Sequence, residues 1–279
     1  MAVINSMFTH SGYRMKKVIF IKLGGGLITD KYKPFVARKD VIRRLALEIK
    51  QVIKGRNVGL IIAHGSGSFG HSVAVKYKTQ EGIKDKDSIW GISEVSDAAI
   101  RINRIVMEEF LKVRLPVISF APKSFILAKN NEAKKVLEQP LMEALKIGLI
   151  PVVYGDVVMD IEKGCGIFSS EKVISELAKK LQSQFKIENI IYCGNTEGVY
   201  DPEGSTIPMI DSKIYKKVMG KIGGSTATDV TGGMLHKVQE AMKVARIAKC
   251  EVVIMSGIKN GSLVKEIKGL KINRTIIRS

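Results

Sequence analysis

From residue 18 onward, short apolar runs alternate with longer stretches in which apolar residues return every three or four positions. The runs at 18–23, 58–62, 117–120, 149–154, 187–192 and 251–255 are rich in Val and Ile and too short for helices. Most read as strands buried on both faces, as in a parallel sheet. Between them, 39–54 has apolar residues at Val41, Ile42, Leu45, Leu47, Ile49 and Ile53, a fair amphipathic helix that Gly55 closes. Helical patterns also run through Val73, Val75 and Tyr77, and over 88–113, 137–147, 173–181, 234–249 and 262–266. Residues 157–161 and 166–168 flank Glu162-Lys163-Gly164 and predict a β-hairpin. Residues 272–277 predict an edge strand. Strand and helix alternating over the whole length imply an α/β fold, a largely parallel sheet with helices on both faces, read as two lobes of one continuous sheet. Residues 1–14 carry no periodicity and no signal-peptide core, and read as a flexible extension; Met1, Met7 and Met15 are all candidate starts.

Composition narrows the class. The 279 residues are 45% hydrophobic and 26% charged, and no apolar run nears the roughly 20 residues a membrane span requires. Three scattered cysteines, Cys165, Cys193 and Cys250, predict reduced thiols in a cytoplasmic protein. The formal charge of +18 comes from lysines spread along the chain. Without an arginine-rich arm or an aromatic RNA-binding motif, it argues for steering small anions, not for a nucleic-acid partner.

In α/β sheets ligands bind beyond the carboxyl ends of the strands. Four such ends carry unusual residues: 22–26, 64–71, 155–156 and 194–198. The second, His64-Gly65-Ser66-Gly67-Ser68-Phe69-Gly70-His71, passes from strand to small residues to helix, a geometry that gathers backbone N–H groups around a phosphate. No GxxxxGK[ST] string exists, which removes the P-loop. Gly65, Gly67 and Gly70 form a formal GxGxxG, but the acidic strand-end residue of a dinucleotide site is missing.

Ile21-Lys22-Leu23-Gly24-Gly25, Thr29-Asp30-Lys31, the 64–71 string, Val75-Lys76-Tyr77, Tyr154-Gly155-Asp156, and Asp229-Val230-Thr231-Gly232-Gly233-Met234 with Lys237 occur in one order across nearly the whole chain. In these the sequence resembles the amino acid kinase superfamily, and within it the archaeal-type isopentenyl phosphate kinases. The resemblance implies an open three-layer αβα sandwich, with an acceptor lobe at 15–172 and an ATP lobe at 173–279. It implies a homodimer that moves the γ-phosphoryl of ATP, with Mg2+, onto a small alkyl monophosphate. Another acceptor, such as a phosphonate or nucleoside monophosphate, is the alternative; a non-catalytic nucleotide-binding protein is the alternative of another class.

The resemblance further implies Lys22, Lys31 and Lys237 as phosphate-binding lysines, Lys31 on the group in transfer, and His71 on the acceptor phosphate. Leu23, Gly24, Gly25, Gly26, Gly67, Asn195 and Gly233 would join Lys22 and Lys237 around ATP. Ser66, Gly155, Asp156 and Ser170 would join His71 around the acceptor. Asp156 is open to orienting a lysine, holding a metal-bound water, or capping a loop; His64 reads as structural. Tyr77, Ile83, Trp90, Ile92 and 118–120 are candidates for the walls of an alkyl pocket. Three departures stand out. Ser66 replaces a glycine, and would donate to or crowd the acceptor phosphate. Ser169-Ser170-Glu171-Lys172 replaces Ser-Gly-Asp-Asp, and Asn195-Thr196-Glu197-Gly198 replaces Asp-x-Asp-Gly. Together these predict a more cationic site.

Overall fold

The computed structural model describes residues 17–77, 82–222 and 231–279; the extension expected at 1–14 lies outside them. The strands are β1 (Lys17–Leu23), β2 (Gly59–His64), β3 (Val117–Ser119), β4 (Ile126–Lys129), β5 (Glu132–Val136), β6 (Ile150–Tyr154), β7 (Asp156–Asp160), β8 (Gly164–Phe168), β9 (Lys186–Gly194), β10 (Met209–Ile210), β11 (Glu251–Ser256) and β12 (Arg274–Ile277). The helices are α1 (Gly25–Ile28), α2 (Lys39–Ile53), α3 (His71–Tyr77), α4 (Lys86–Lys112), α5 (Pro122–Phe125), α6 (Gln139–Lys146), α7 (Ser170–Leu181), α8 (Ser212–Ile222), α9 (Thr231–Ala248) and α10 (Ser262–Ile267).

Eight strands form the central sheet in the order β10-β12-β11-β9-β1-β2-β6-β3, parallel except where β12 runs against β11. β1 explains why its sequence is apolar throughout. Val18 and Phe20 point into a core shared with α6, α7 and α9, while Ile19, Ile21 and Leu23 point into a second core with α2, α4 and α10. A strand's two-residue period therefore puts Lys22 on the Val18–Phe20 face, at the strand's end, opposite α7 and α9. The functional position of that lysine follows from parity alone.

Two expectations are corrected. The sheet is not one continuous layer: β5-β4-β7-β8 form a separate four-stranded sheet. The chain leaves the central sheet at Gly155, whose N–H donates to His64 O, and turns immediately into β7, which pairs with β8 and β4. β5 is largely exposed and polar, so it has no apolar run to announce it. Nor is β12 an edge: its register continues onto β10, two residues long. No helix among the described residues is long and apolar enough to cross a membrane.

Candidate active site

The turns after β1 and β2, on adjacent strands, interlock. Gly65 N–H donates to Leu23 O, and Gly24 N–H reaches across to Cys193 O at the end of β9. A methyl built on Gly25 would stand 2.5 Å from Gly67 N and 2.7 Å from Gly67 Cα, and one on Gly65 would meet Gly25 N at 2.8 Å. Gly67 has φ +51, and a methyl there would strike Thr29 Oγ1 and approach Gly25 O to 2.6 Å. Glycine is required at both 25 and 67, for backbone contact and for the left-handed conformation. Thr29, fully buried, clamps the pair: its hydroxyl donates to Gly25 O (2.8 Å) and accepts from Ser68 N–H (3.0 Å).

Lys22 Nζ lies 2.5 Å from Glu171 Oε1, both side chains being less than a tenth exposed. Glu171 stands in the first turn of α7, whose N-cap is Ser169. Burial alone would raise its carboxyl, but the Lys22 ammonium, bonded to it and aided by Lys237, brings it down to about 2. Burial lowers Lys237, on α9; the charges of Lys22 and Lys31 push it the same way, and Glu171 opposes them. The charges of Lys22 and Lys31 thus both reach Lys237. Lys31 folds back over the first glycine turn, where a methyl on Gly26 would meet its Cε at 3.3 Å. The structure therefore brings together Lys22, Lys31, Lys237 and the glycines at 24–26 and 65–67. It adds Glu171 and Thr29, which the motifs of the sequence do not mark as site residues. An N-cap serine followed by an acidic residue was the available signal for Glu171.

Lys172 corrects the expectation of a more cationic site. Its ammonium contacts Asn131 O, sits 3.4 Å from Glu132 Oε1, and lies 4.3 Å from the Phe168 ring centroid, in the four-stranded sheet. Its charge is spent away from the three lysines. Glu197 is likewise engaged with Lys259 (3.0 Å) and Asn273 (2.9 Å).

On the β2–β6 side, Asp156 is almost fully buried and accepts from Lys123 Nζ (2.6 Å) and Val157 N–H (2.8 Å). Its carboxyl is raised by burial, against the pull of Lys123. Of the roles open to it, it bonds a lysine, one that nothing in the sequence singled out. Gly155 packs against Ser170 N, and the buried Ser170 hydroxyl donates to Glu171 Oε2 (3.1 Å). His64 is buried, stacked on Tyr154 at 5.4 Å, with its ring nitrogens 3.2 Å from Gly65 O and from Asn103 Oδ1. Burial lowers its pKa from the usual imidazole value. His71 opens α3; its side chain, and Asp229 and Val230, lie outside the described residues.

Ser66 does not stand free in the turn. Its hydroxyl lies against Gly70, where a methyl would contact Oγ and approach Ser66 Cβ to 2.8 Å. The side chain at 66 uses the room that glycine leaves at 70. Gly70→Ala is expected to destabilise the protein by about 1–3 kcal/mol through overpacking, and Ser66→Gly in the same chain to restore most of it. Thermal melts of the two single variants and the double variant measure this. A Gly70→Ala protein that melts with the wild type rules the contact out.

The candidate alkyl wall is brought together only in part: Tyr77 lies against Gly91, between Trp90 and Ile92. Trp90 lines a cleft of about 430 Å3 with Phe35, Val73, Asp97 and Arg101, whereas Tyr77 lines a second hollow with Gly82, Lys84 and Ser88. Ile83 packs over Gly164.

On the nucleotide side, Asn195 Nδ2 donates to Gly26 O (3.0 Å), tying the loop after β9 to the first glycine turn. Among the described residues its Oδ1 is buried without a partner, as is Ser68 Oγ, and nothing stands within 4 Å of where a side chain at Gly233 would be. A cradle closed by backbone, three lysines and an orphaned acceptor beside it fit a nucleotide polyphosphate. Among the described residues no three His, Cys, Asp or Glu side chains cluster as a metal site.

Comparison with known proteins bears on this arrangement. Residues 17–256 match the amino acid kinase family. The isopentenyl phosphate kinase of Methanocaldococcus jannaschii is 31% identical over 260 residues, spanning 89% of this chain and 94% of that protein. That of Methanothermobacter thermautotrophicus is 28% identical, over 91% and 98%. A solved isopentenyl phosphate kinase structure superposes with a TM-score of 0.78 at 26% identity, covering 93% of this chain and 99% of the other.

Proposed function

Because the chain belongs to the amino acid kinase family, we propose that it transfers the γ-phosphoryl of ATP to isopentenyl phosphate, yielding isopentenyl diphosphate. The observation that carries this is the pair of interlocked glycine turns beside Lys22, Glu171 and Lys237, in a chain matched nearly end to end by isopentenyl phosphate kinases.

Phosphoryl transfer needs in-line positioning and cations spread over the moving group, and little covalent help. The N–H groups of Gly24, Gly65 and Ser68 are bonded within the protein and fix the two turns against each other; the remaining N–H groups of the turns would hold the phosphates, and the fixed contact holds donor and acceptor sites at one spacing. Glu171 holds the Lys22 side chain in place, so that Lys22 and Lys237 hold the ATP phosphates. Lys31, carried on the loop after α1, stabilises the group in transfer. Asn195, through its free Oδ1, with Leu23, Gly24, Gly26 and Gly233, borders the nucleotide. Both site carboxylates, Glu171 and Asp156, are already bonded to lysines. Mg2+ would accordingly be held through the ATP phosphates, where it neutralises charge. His71 is assigned from sequence to the acceptor phosphate, as are Ser66, Gly155, Asp156 and Ser170. The lobe division at 172/173 and a homodimeric cytoplasmic enzyme belong to the same proposal.

Ser66 favours one second reading, an acceptor other than isopentenyl phosphate, since the turn is filled where three glycines would leave it open. A panel of acceptors with ATP, read by ADP release, decides between them. Isopentenyl phosphate is expected to give the highest kcat/KM. No turnover above background with it, or a higher value for UMP or a carboxylate, sinks the assignment.

A further inference from the structure

We propose that Phe35 is a positioning residue for phosphoryl transfer that acts through Lys31; the inference rests on the role given to Lys31 above. Both residues sit on one small loop. Its stem is fixed by the Thr29–Ala37 bridge, by Asp30 N–H donating to Val36 O (2.9 Å), and by Arg38 N–H donating to Ile28 O (2.8 Å). Its tip contains the turn Lys33-Pro34-Phe35-Val36, in which Val36 N–H points back at Lys33 O (3.4 Å).

Phe35 occupies the third position of that turn with φ +58. Glycine is the usual residue there, because a side chain in the left-handed region crowds its own backbone. A phenylalanine held in that conformation must be retained by its contacts. Two are visible. Its ring meets the edge of Phe69 at 5.5 Å and 78°, and the Arg101 guanidinium lies 4.8 Å from its centroid. Phe69 is buried within the second glycine turn, between Gly67 and Gly70. Arg101 is on α4.

The loop tip is therefore docked at both ends of the reaction centre. The Lys31 side chain lies over Gly26, and the Phe35 ring lies on the turn that leads to His71. The ring is 38% exposed and borders the 430 Å3 cleft lined by Val73, Trp90 and Asp97, so it is held from two sides and free on the others. Without the ring, the stem's backbone bonds survive but the tip can swing. Lys31 then spends less time over the moving phosphoryl group.

Phe35→Ala is expected to lower kcat about tenfold or more while KM for ATP stays within about twofold, since the loss is one of positioning and not of nucleotide binding. Phe35→Tyr keeps the ring and should remain near wild type. In a Lys31→Ala background Phe35→Ala should cause no further loss, an outcome a merely structural residue would not give. If Phe35→Ala retains wild-type kcat while Lys31→Ala is slow, the inference is overturned and the role of Lys31 stands. The inference is likewise overturned if Phe35→Ala slows both backgrounds equally. If Lys31→Ala itself retains wild-type kcat, the role of Lys31 falls and takes the inference with it.

Discussion

Lys22→Met is expected to lower turnover by roughly a thousandfold and to destabilise the protein by about 3–5 kcal/mol, because it removes a phosphate cation and leaves a buried carboxylate unpaired. The second effect has a signature in pH. In the wild type Glu171 is depressed from 4.5 to about 2. It thus contributes stability that is fully present above its unfolded pKa and lost as pH falls from about 4.5 toward 2. A shift of that size corresponds to about 3 kcal/mol. In Lys22→Met, burial acts on Glu171 with its principal counter-ion gone, and its pKa rises above the unfolded value. The variant then binds protons on folding and gains stability as pH falls from 7 toward 5, a range in which the Glu171 contribution to the wild type is flat. Adding Glu171→Gln is expected to recover stability without recovering activity. Urea melts at pH 7 and pH 5 and an ADP-release assay measure all three. A single variant as stable as the wild type at pH 7 would refute the buried pair as described.

Gly25→Ala is also expected to lower activity, here through geometry alone. The added methyl meets Gly67 N at 2.5 Å and Gly67 Cα at 2.7 Å. Both are backbone atoms, so no side chain can rotate away and the turns must separate. A displacement on the order of 1 Å between donor and acceptor sites costs about a hundredfold in rate. Gly24→Ala is the milder comparison, its nearest obstacles being Cys193 O at 3.2 Å and Gly194 Cα at 3.4 Å. Initial rates for the two variants are expected to differ by about tenfold or more. Equal rates would mean that the contact between the turns does not set the spacing.

Much of this was legible in the sequence because buried strands advertise themselves. The parity of β1 assigns Lys22 its face, and the glycines after β1 and β2 mark both turns. β5 was invisible for the opposite reason, since Glu132, Lys134 and Lys135 leave it no apolar run, and β4 is only four residues long. β10 is too short to carry a pattern, and its presence is what made β12 an inner strand. The Lys22–Glu171 pair spans 149 residues, a separation that local periodicity cannot bridge. Lys172 shows the limit of counting charges, since a lysine in the first turn of a helix can be directed wholly away from a site beside its neighbour. Thr29 and Lys123 gave no signal of their own. A threonine's hydroxyl and a single lysine among many acquire meaning only from what stands opposite.

The contact between Ser66 and Gly70 also constrains the order in which this chain can change. With glycine at 70, position 66 can pass between serine and glycine in a single step. The reverse is costlier: a side chain at 70 meets both the hydroxyl and the Cβ of Ser66. A descendant that elaborates position 70, immediately before His71, is therefore expected to keep more of its stability by passing first through a glycine at 66, the unfilled form of the turn.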